Sequence, residues 1–281
     1  MTAGRNPRSA QAEKASSAIG DKILAVLALF TIEHPEWTVE AAADELGVSV
    51  STSYRYFKAL TKAGLVCPAS RATYTLGPAI IQMDRQIQLC DPMLSAARGV
   101  MQDLIGYAAE GSTILLCRAF RDRVMCLHQV AGPGPQAPLL HERGRVMPPF
   151  RAAVSKVILA HLPTRTLKSL FALEAREIEA AGLGRNWDEF RRKLADIRRA
   201  GFCVTTGDID ASRIGVAAPI FSKEGAILGS IAFITSAERG YEMLANRLTP
   251  LTIAGAHEIE QAMWRRETSA EPRPARRGAA S

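Results

Sequence analysis

The stretch VEAAADELGVSVSTSYRYFKALTKAG, residues 39–64, decides the fold of the first part of the chain. Thr38 offers a side-chain oxygen as the N-cap of a short alanine-rich helix that runs from Val39 to Leu46. Gly47 can take the left-handed conformation that commonly ends a helix. A second helix begins almost at once, so the pattern predicts two helices joined by a tight glycine turn.

The second helix is predicted over Thr52–Ala63, with Ser49 or Ser51 as its N-cap and Gly64 after its last turn. Upstream, apolar residues recur at helical spacing over Ser17–Glu33 and predict another helix there. This arrangement is typical of a helix-turn-helix, whose second helix reads DNA in the major groove.

The two faces of that second helix differ in chemistry. Tyr54, Phe57 and Leu60 form an apolar stripe that we expect to pack inside. Hydroxyls and cations then lie on the opposite face, where they can bind phosphates or base edges. The DNA-facing residues predicted in this way are Ser51, Thr52, Ser53, Arg55, Tyr56 and Lys58. Two alternatives stay open: the charges only solvate a surface helix, or the domain docks onto another protein.

Charge is unevenly distributed along this region. The whole chain carries 35 Lys and Arg against 28 Asp and Glu, a formal net charge of +7, which allows a polyanionic partner without locating its site. The segment Ser49–Gly77 contains four cations and no acid, whereas Glu36–Glu45 contains four acids and no cation. The cationic segment therefore coincides with the predicted recognition helix.

Two short strands are predicted after the recognition helix, Leu65–Cys67 and Arg71–Leu76, with a turn at Pro68–Ser70 between them. A hairpin in this position is a wing. Arg71 and Thr73 lie near its tip and are predicted to touch a flanking phosphate.

The segment from Asp44 to Arg55, together with the wing ending Tyr74-Thr75-Leu76-Gly77, resembles the DNA-binding domain of the IclR family of bacterial transcriptional regulators. The resemblance covers nearly all of the chain between its two ends. It implies a winged helix-turn-helix, a linker helix that dimerises, and a GAF-like effector-binding domain with a central antiparallel sheet and flanking helices. The boundaries that follow are 1–16 for a disordered arm, 17–77 for the DNA-binding domain, 78–110 for the linker and dimerisation helices, 111–267 for the effector-binding domain and 268–281 for a disordered tail.

The linker is predicted to be helical with an interruption at Asp91-Pro92, because proline disfavours a helical residue before it. Its apolar residues can supply a dimer face or pack within one chain. They are Ile80, Ile81, Met83, Ile87 and Leu89. We expect a homodimer or a tetramer whose DNA-binding domains bind two half-sites of a double-stranded operator.

The last domain shows strand and helix patterns that alternate with turns. The strands are predicted over Ser112–Cys117, Val124–Val130, Val216–Phe221 and Ala226–Thr235, and the helices over Ala152–His161, Arg165–Ala172 and Trp187–Ala200. Asn186 is expected to cap the last helix with Glu189 as its capping-box partner. Strands segregated from helices indicate an α+β domain.

The family resemblance places the effector pocket in three stretches of this domain. The residues carried over to it are Met147, Phe150, Ala152, Ala153, Val154, Thr205, Asp208, Gly215 and Ala232. Phe150 stands where histidine is common, Gly215 where many relatives have cysteine, and Ala232 where serine is frequent. These departures predict an apolar pocket and an aromatic or other hydrophobic carboxylate as effector. Core packing explains the alanines equally well, and Asp208 also suits a turn cap.

Other classes of protein have little support. The five cysteines are scattered and form no C-x-x-C pair, which argues against a disulfide framework and fits a reducing cytoplasm. The sequence contains no catalytic or cofactor-binding motif and no apolar run of membrane-spanning length, so we expect no enzyme, no cofactor and no membrane partner. A zinc site on Cys126 and His128, completed by His141 or Cys203, is a minor alternative.

The sequence thus predicts a ligand-responsive repressor or activator that binds operator DNA and controls a nearby catabolic operon. A small-molecule sensor that acts through protein contacts is the alternative that the effector domain alone would allow.

Overall fold

The computed structural model describes residues 20–120, 123–134, 142–239 and 241–269. The predicted arm, 1–16, lies outside these ranges, as does the predicted tail except for its first two residues, which belong to a helix. In the described part, no helix is long and apolar enough to cross a membrane. The chain divides into two units between Cys90 and Asp91.

The first unit is mostly helical. Its elements are α1 (20–29), β1 (Trp37–Thr38), α2 (Val39–Leu46), α3 (Val50–Lys62), β2 (Val66–Pro68), β3 (Thr73–Leu76) and α4 (Pro78–Cys90). The strands form an antiparallel sheet in the order β1-β3-β2, with Thr38 opposite Thr73 and Cys67 opposite Thr75. The hairpin of β2 and β3 confirms the predicted wing, whereas β1 is too short to leave a pattern in the sequence.

Capping side chains build the turn between α2 and α3. The Thr38 hydroxyl accepts a hydrogen bond from the Ala41 amide at 3.0 Å, and Gly47 takes a φ of 61° after the last turn of α2. The Ser49 hydroxyl accepts from the Thr52 amide at 3.3 Å, so Ser49 is the N-cap and α3 begins two residues earlier than expected. The predicted helix-turn-helix is confirmed.

Phe57 of α3 lies at the centre of the apolar core of this unit. Its ring centroid is 4.8 Å from that of Tyr74 in β3 and 6.5 Å from that of Phe30 after α1. The Trp37 indole donates to the Leu29 carbonyl at 2.9 Å and ties β1 to the end of α1. The recognition helix is therefore held from both the helical and the wing side.

Gly77 lies where the chain leaves the wing. A Cβ atom there would lie 2.2 Å from the Gly64 carbonyl oxygen, so a side chain would force the wing away from the end of α3. The Gly77 amide donates to the Leu65 carbonyl at 2.8 Å, and the Ala79 amide donates to the Gly64 carbonyl at 3.0 Å. The glycine permits this close approach and thereby fixes the start of α4.

The second unit is built around one antiparallel sheet. Its elements are α5 (Pro92–Ile105), β4 (Thr113–Phe120), β5 (Arg123–Ala131), β6 (Val146–Met147), α6 (Ala153–Leu159), α7 (Thr164–Ala180), α8 (Trp187–Ala200), β7 (Cys203–Thr206), β8 (Arg213–Phe221), β9 (Ile227–Ser236) and α9 (Tyr241–Ser269). The strand order is β6-β5-β4-β9-β8-β7. The predicted α+β class is confirmed.

Successive side chains of a strand point to opposite faces of the sheet. Helices pack on both faces, so both are buried. Ile114 and Leu116 of β4 pack on one face with α5 and α9. Leu115 and Cys117 pack on the other face with α6. A third apolar cluster joins α6 to α7 and α8 around Phe190. The α6 side of the sheet is the side that carries the predicted effector residues.

The helices of this unit agree with the sequence prediction only in part. The predicted bounds of α8 are confirmed, and the Asn186 side chain accepts from the Glu189 amide at 3.0 Å. Helix α7 continues well beyond the predicted Arg165–Ala172, and α9 was not predicted because Pro250 inside it reads as a helix breaker.

The interruption predicted at Asp91-Pro92 is present. The Asp91 carboxylate caps α5 by accepting from the Leu94 amide at 2.8 Å, and Pro92 occupies the first turn. Arg118 of β4 binds both oxygens of the same carboxylate, one of them at 2.9 Å. The start of α5 is therefore anchored to the sheet.

Candidate DNA interface and effector site

Helix α3 presents one continuous polar stripe to solvent. Ser51, Tyr54, Arg55, Lys58 and Lys62 are all exposed and recur at intervals of three to four residues, which places them on one face. Within the described residues, Arg55, Lys58 and Lys62 make no hydrogen bond or ion pair. This face offers three unengaged cations.

The predicted phase of α3 is wrong at three positions. Ser53 and Tyr56, expected on the DNA side, are buried, whereas Tyr54, expected in the core, is 57% exposed. The Ser53 hydroxyl donates to the Val39 carbonyl at 2.9 Å and fixes how α2 packs on α3. Helical periodicity fits the buried set 53, 56, 57 and 60 better than the set 54, 57 and 60. The buried set was not recognised because it contains a polar residue, Ser53.

The beginning of α3 carries a chain of hydroxyl groups. The Ser49 hydroxyl lies 3.1 Å from that of Ser51 and 2.9 Å from that of Thr52. Thr52 is half-buried and Ser51 is exposed. Hydroxyl and amide groups at a helix start suit contacts with phosphate oxygens.

The wing tip presents Arg71 but not Thr73 to solvent. Arg71 is exposed in the turn between β2 and β3. Thr73 is half-buried, its amide bonds the Ser70 hydroxyl at 3.2 Å, and its own hydroxyl lies 2.8 Å from that hydroxyl. Thr73 therefore shapes the tip, and Arg71 is the exposed cation there.

In the second unit, five of the predicted effector residues surround one small cavity of about 30 Å³ between α6 and β8. They are Ala152, Ala153, Thr205, Asp208 and Gly215. Ile209, Asp210, Arg213, Ile214 and Ile234 complete the described lining. The cavity has room for little more than a water molecule.

The other four predicted effector residues are not among the described residues that line this cavity. Met147, Val154 and Ala232 are buried in the apolar cluster that α6 forms with the sheet. Phe150 packs with α7 and α8 and lines a separate cleft of about 210 Å³ beside Arg123 and Arg151.

Asp208, one of the residues that line the cavity, forms an ion pair with Lys156, which the predicted site did not include. The Asp208 carboxylate accepts from the Lys156 ammonium at 2.7 Å and from the Ala152 amide at 3.1 Å. Lys156 is buried, and its ammonium also lies 3.4 Å from the Ala181 carbonyl. A lysine within the apolar run of α6 was the available signal, because a buried cation requires a partner.

Ala152 holds a strained backbone at this point. Its φ of 64° and ψ of 148° lie in a region that is relaxed only for glycine, and it is the one residue other than glycine with positive φ among those described. Strain of this kind persists when neighbouring contacts enforce it, and here the Asp208 carboxylate holds the Ala152 amide.

The zinc alternative gains no support from the described residues, which contain no group of three or more histidine, cysteine or acidic side chains able to hold a metal. His141 lies outside the described ranges. Burial lowers the pKa of His128, and the nearby Arg98 and Arg143 lower it further.

Comparison with known proteins agrees with this architecture. The model of the C-terminal domain of IclR bacterial transcriptional regulators matches residues 91–261, and the model of the IclR helix-turn-helix domain matches residues 21–67. A search of curated protein sequences found no match.

Solved structures share the fold at low sequence identity. An IclR transcriptional regulator from Alicyclobacillus acidocaldarius is 21% identical with a TM-score of 0.72, covering 88% of this chain and 98% of that one. An IclR family regulator from Brucella abortus is 21% identical with a TM-score of 0.70, covering 87% and 92%. An IclR homolog from Microbacterium hydrocarbonoxydans, complexed with 4-hydroxybenzoate, is 17% identical with a TM-score of 0.69, covering 88% and 99%.

The family models match both units, and their assignments agree with the winged helix-turn-helix and with the antiparallel sheet of the second unit. Members of this family regulate transcription rather than catalyse reactions. The chain belongs to the IclR family of bacterial transcriptional regulators.

Proposed function

We propose that the protein is a cytoplasmic, dimeric or tetrameric regulator of transcription. Its affinity for operator DNA changes when an aromatic or other hydrophobic carboxylate binds its second unit. The regulated genes would form a nearby catabolic operon. The observation that carries the proposal is the acid-free, exposed stripe of α3 in a winged helix-turn-helix.

The DNA contacts follow from exposure and charge. Arg55 is placed to read a base edge or bind a phosphate, while Lys58 and Lys62 bind phosphates further along the groove. Ser51 and Tyr54 supply polar contacts on the same face, and Arg71 reaches the flanking backbone from the wing. Ser53 and Tyr56 have no place in this interface because both are buried.

Duplexes selected by the wild-type protein from a randomised pool provide a probe for this interface. The full chain should bind them far more tightly than it binds unselected DNA, and added salt should weaken both interactions. If selection yields no enriched sequence and no salt-dependent binding, the protein acts through other contacts and the sensor alternative takes precedence.

Helix α4 supports the dimer. It has no buried residue, and Ile81, Met83, Ile87 and Leu89 are each between 47% and 74% exposed. Exposed apolar residues on successive turns of a helix are suited to pack against a second copy of the same helix. Paired α4 helices would present two recognition helices to two half-sites.

Sedimentation at micromolar concentration tests the dimer. The wild type should sediment as a dimer or tetramer, and Ile81→Lys with Ile87→Lys should shift it to the monomer. Leu173→Lys is the matched control, since Leu173 is 80% exposed on α7 and outside α4. A monomeric wild type would remove the two-half-site arrangement.

The walls of the small cavity support the choice of effector. Ala152, Ala153, Gly215, Ile214 and Ile234 offer apolar surface. A ligand of the size of a benzoate requires a much larger space, since ligand pockets typically measure about 300–1,000 Å³. A groove of about 410 Å³ adjoins the cavity and shares Thr205 with it. We infer that the effector opens the cavity toward this groove.

Lys156 is the cation best placed to receive the effector carboxylate. It lines the groove and is bonded to Asp208 at the edge of the cavity. An incoming carboxylate would repel Asp208 and compete for the Lys156 ammonium. Displacing Asp208 would also release the Ala152 amide and its strained backbone, which would couple binding to a shift of α6. The coupling to DNA must be reciprocal.

Titration calorimetry tests the effector class with 4-hydroxybenzoate, its uncharged amide and glyoxylate. We expect the aromatic acid to bind, the amide to bind weakly because it cannot pair with Lys156, and glyoxylate not to bind. Asp208→Asn should strengthen binding of the acid by removing the competing charge. Binding of glyoxylate without any aromatic acid would contradict the apolar pocket and leave the DNA interface untouched.

A further inference from the structure

Two cysteines of the second unit lie directly opposite each other. Cys117 of β4 pairs with Cys126 of β5, next to an irregularity at which Leu127 is the extra residue on β5. Both side chains are buried in the apolar cluster between the sheet and α6.

The backbone hydrogen bonds indicate that the Cα atoms of Cys117 and Cys126 are closely spaced. The Cys126 amide donates to the Arg145 carbonyl at 3.0 Å, and the Cys126 carbonyl accepts from the Gly144 amide at 2.8 Å. Both main-chain groups of Cys126 therefore point away from β4. Opposite residues without mutual ladder hydrogen bonds have Cα atoms about 4.5 Å apart. Disulfides span Cα separations of about 4.4–6.8 Å.

The two thiols also differ in acidity. The neighbouring Cys117 thiol lowers the pKa of Cys126, and the His128 backbone and the charge of Arg143 lower it further, against the opposing effect of burial. The Cys126 thiol and burial both raise the pKa of Cys117. Cys126 is thus suited to attack an oxidant, and Cys117 to resolve the product.

We propose that Cys117 and Cys126 form an oxidation site that a peroxide converts into a cross-strand disulfide. The Cys126 thiolate attacks a peroxide oxygen; an S–O bond forms, the O–O bond breaks, and the released hydroxide takes a proton to become water. The Cys117 thiol then attacks the Cys126 sulfur; the S–S bond forms, the S–O bond breaks, and a second water leaves. Two thiols are oxidised and one hydrogen peroxide is reduced to two waters.

The position of the pair gives a disulfide a consequence for the candidate effector cavity. The same apolar cluster contains Ala152 and Ala153, which line the candidate effector cavity. A disulfide would stiffen the sheet beneath that cavity.

The remaining cysteines serve as internal controls. Cys203 lies on β7, four strand spacings or about 19 Å from β5 along the sheet, and burial raises its pKa to about 12. Cys90 is exposed in the first unit and reports general oxidant exposure.

Peptide mapping of the full chain tests the proposal. The folded protein is treated with hydrogen peroxide or kept reduced, free thiols are then blocked with N-ethylmaleimide, and trypsin is added. Residues 99–118 and 124–143 form separate tryptic peptides with one cysteine each, so the disulfide appears as one linked pair lighter by two hydrogens. Reductant should separate the pair.

Matched variants keep the result decisive. Cys203→Ser should form the linked pair as the wild type does, while Cys126→Ala should form none and should lose the rise in Tm that oxidation gives the wild type. If Cys117 and Cys126 are both still found as N-ethylmaleimide adducts after peroxide doses that oxidise Cys90, the proposal is wrong. A link from either residue to Cys203 would also overturn it.

Discussion

Helices α3 and α8 both carry clusters of positive charge, but they differ in how many of those cations have partners within the protein. Helix α8 has five cations interleaved with Asp188, Glu189 and Asp196, whereas α3 has three cations and no acid. In α8, Arg198 donates to the Ala160 carbonyl at 2.8 Å and Lys193 to the Gly182 carbonyl at 2.8 Å. Arg199 also pairs with Asp196 at 3.1 Å, so three of the five α8 cations have partners within the protein.

From this difference we expect that engagement of the cations by other protein groups, rather than their number, decides which surface binds a polyanion. A phosphate gains most from a cation that has no competing carboxylate or carbonyl nearby. The net charge of +7 counts both helices alike and cannot distinguish them.

The tyrosine pair of α3 should give the largest effect on stability. Tyr56→Ala removes a buried ring and should lower the free energy of unfolding by about 3–5 kcal/mol, as for other large aromatic truncations. Tyr54→Ala should change it by less than about 0.5 kcal/mol, because Tyr54 is exposed. Urea unfolding followed by circular dichroism measures both. A larger loss for Tyr54→Ala than for Tyr56→Ala would mean that the helix has the phase first predicted from sequence.

Arg55 should matter most for DNA affinity. Arg55→Ala is expected to weaken binding to a selected duplex by about 1–3 kcal/mol, roughly 5- to 150-fold, with an unchanged fold. Arg192→Ala is the control, since Arg192 is also an exposed helical arginine but lies on α8. Fluorescence anisotropy measures both dissociation constants. The same affinity for Arg55→Ala and the wild type would argue against α3 as the reading helix.

Arg198 should show the reverse behaviour. Its guanidinium donates two hydrogen bonds to the Ala160 carbonyl at the end of α6, so Arg198→Ala should lower the stability of the second unit by about 1 kcal/mol. DNA affinity should stay unchanged. Thermal unfolding and anisotropy separate the two effects, and a loss of DNA binding without a loss of stability would contradict the assigned role.

Lys58 should give the smallest effect, a change in salt dependence. Lys58→Ala is expected to reduce the slope of log affinity against log salt by about one, because one phosphate contact is lost. Lys193→Ala should leave the slope unchanged, since the Lys193 ammonium donates to the Gly182 carbonyl. Anisotropy titrations at several salt concentrations measure the slope.

Local signals predicted much of the fold. Thr38, Ser49 and Asn186 cap helices as predicted, and Gly47 ends α2 as expected. These features depend on neighbouring residues alone, so the sequence reveals them. The helix-turn-helix, the wing and the break in the linker follow from such signals.

Tertiary packing decided what the sequence did not reveal. Ser53 is buried because its hydroxyl finds the Val39 carbonyl, fourteen residues away. Lys156 is buried because Asp208 meets it from a loop far along the chain. Only five of the nine predicted effector residues line the cavity, since the others share its apolar cluster or a neighbouring one without facing it. Composition cannot separate a cavity wall from the core behind it.

One measurement tests the central claim most directly. Two triple variants remove the same charge: Arg55→Ala, Lys58→Ala and Lys62→Ala on α3, and Arg191→Ala, Arg192→Ala and Lys193→Ala on α8. The affinity of each for a selected duplex is measured by anisotropy across a salt series. We predict that the α3 variant loses specific binding and most of its salt dependence, while the α8 variant binds as the wild type does. Equal losses in both variants would show that net charge, rather than the exposed face of α3, holds the DNA.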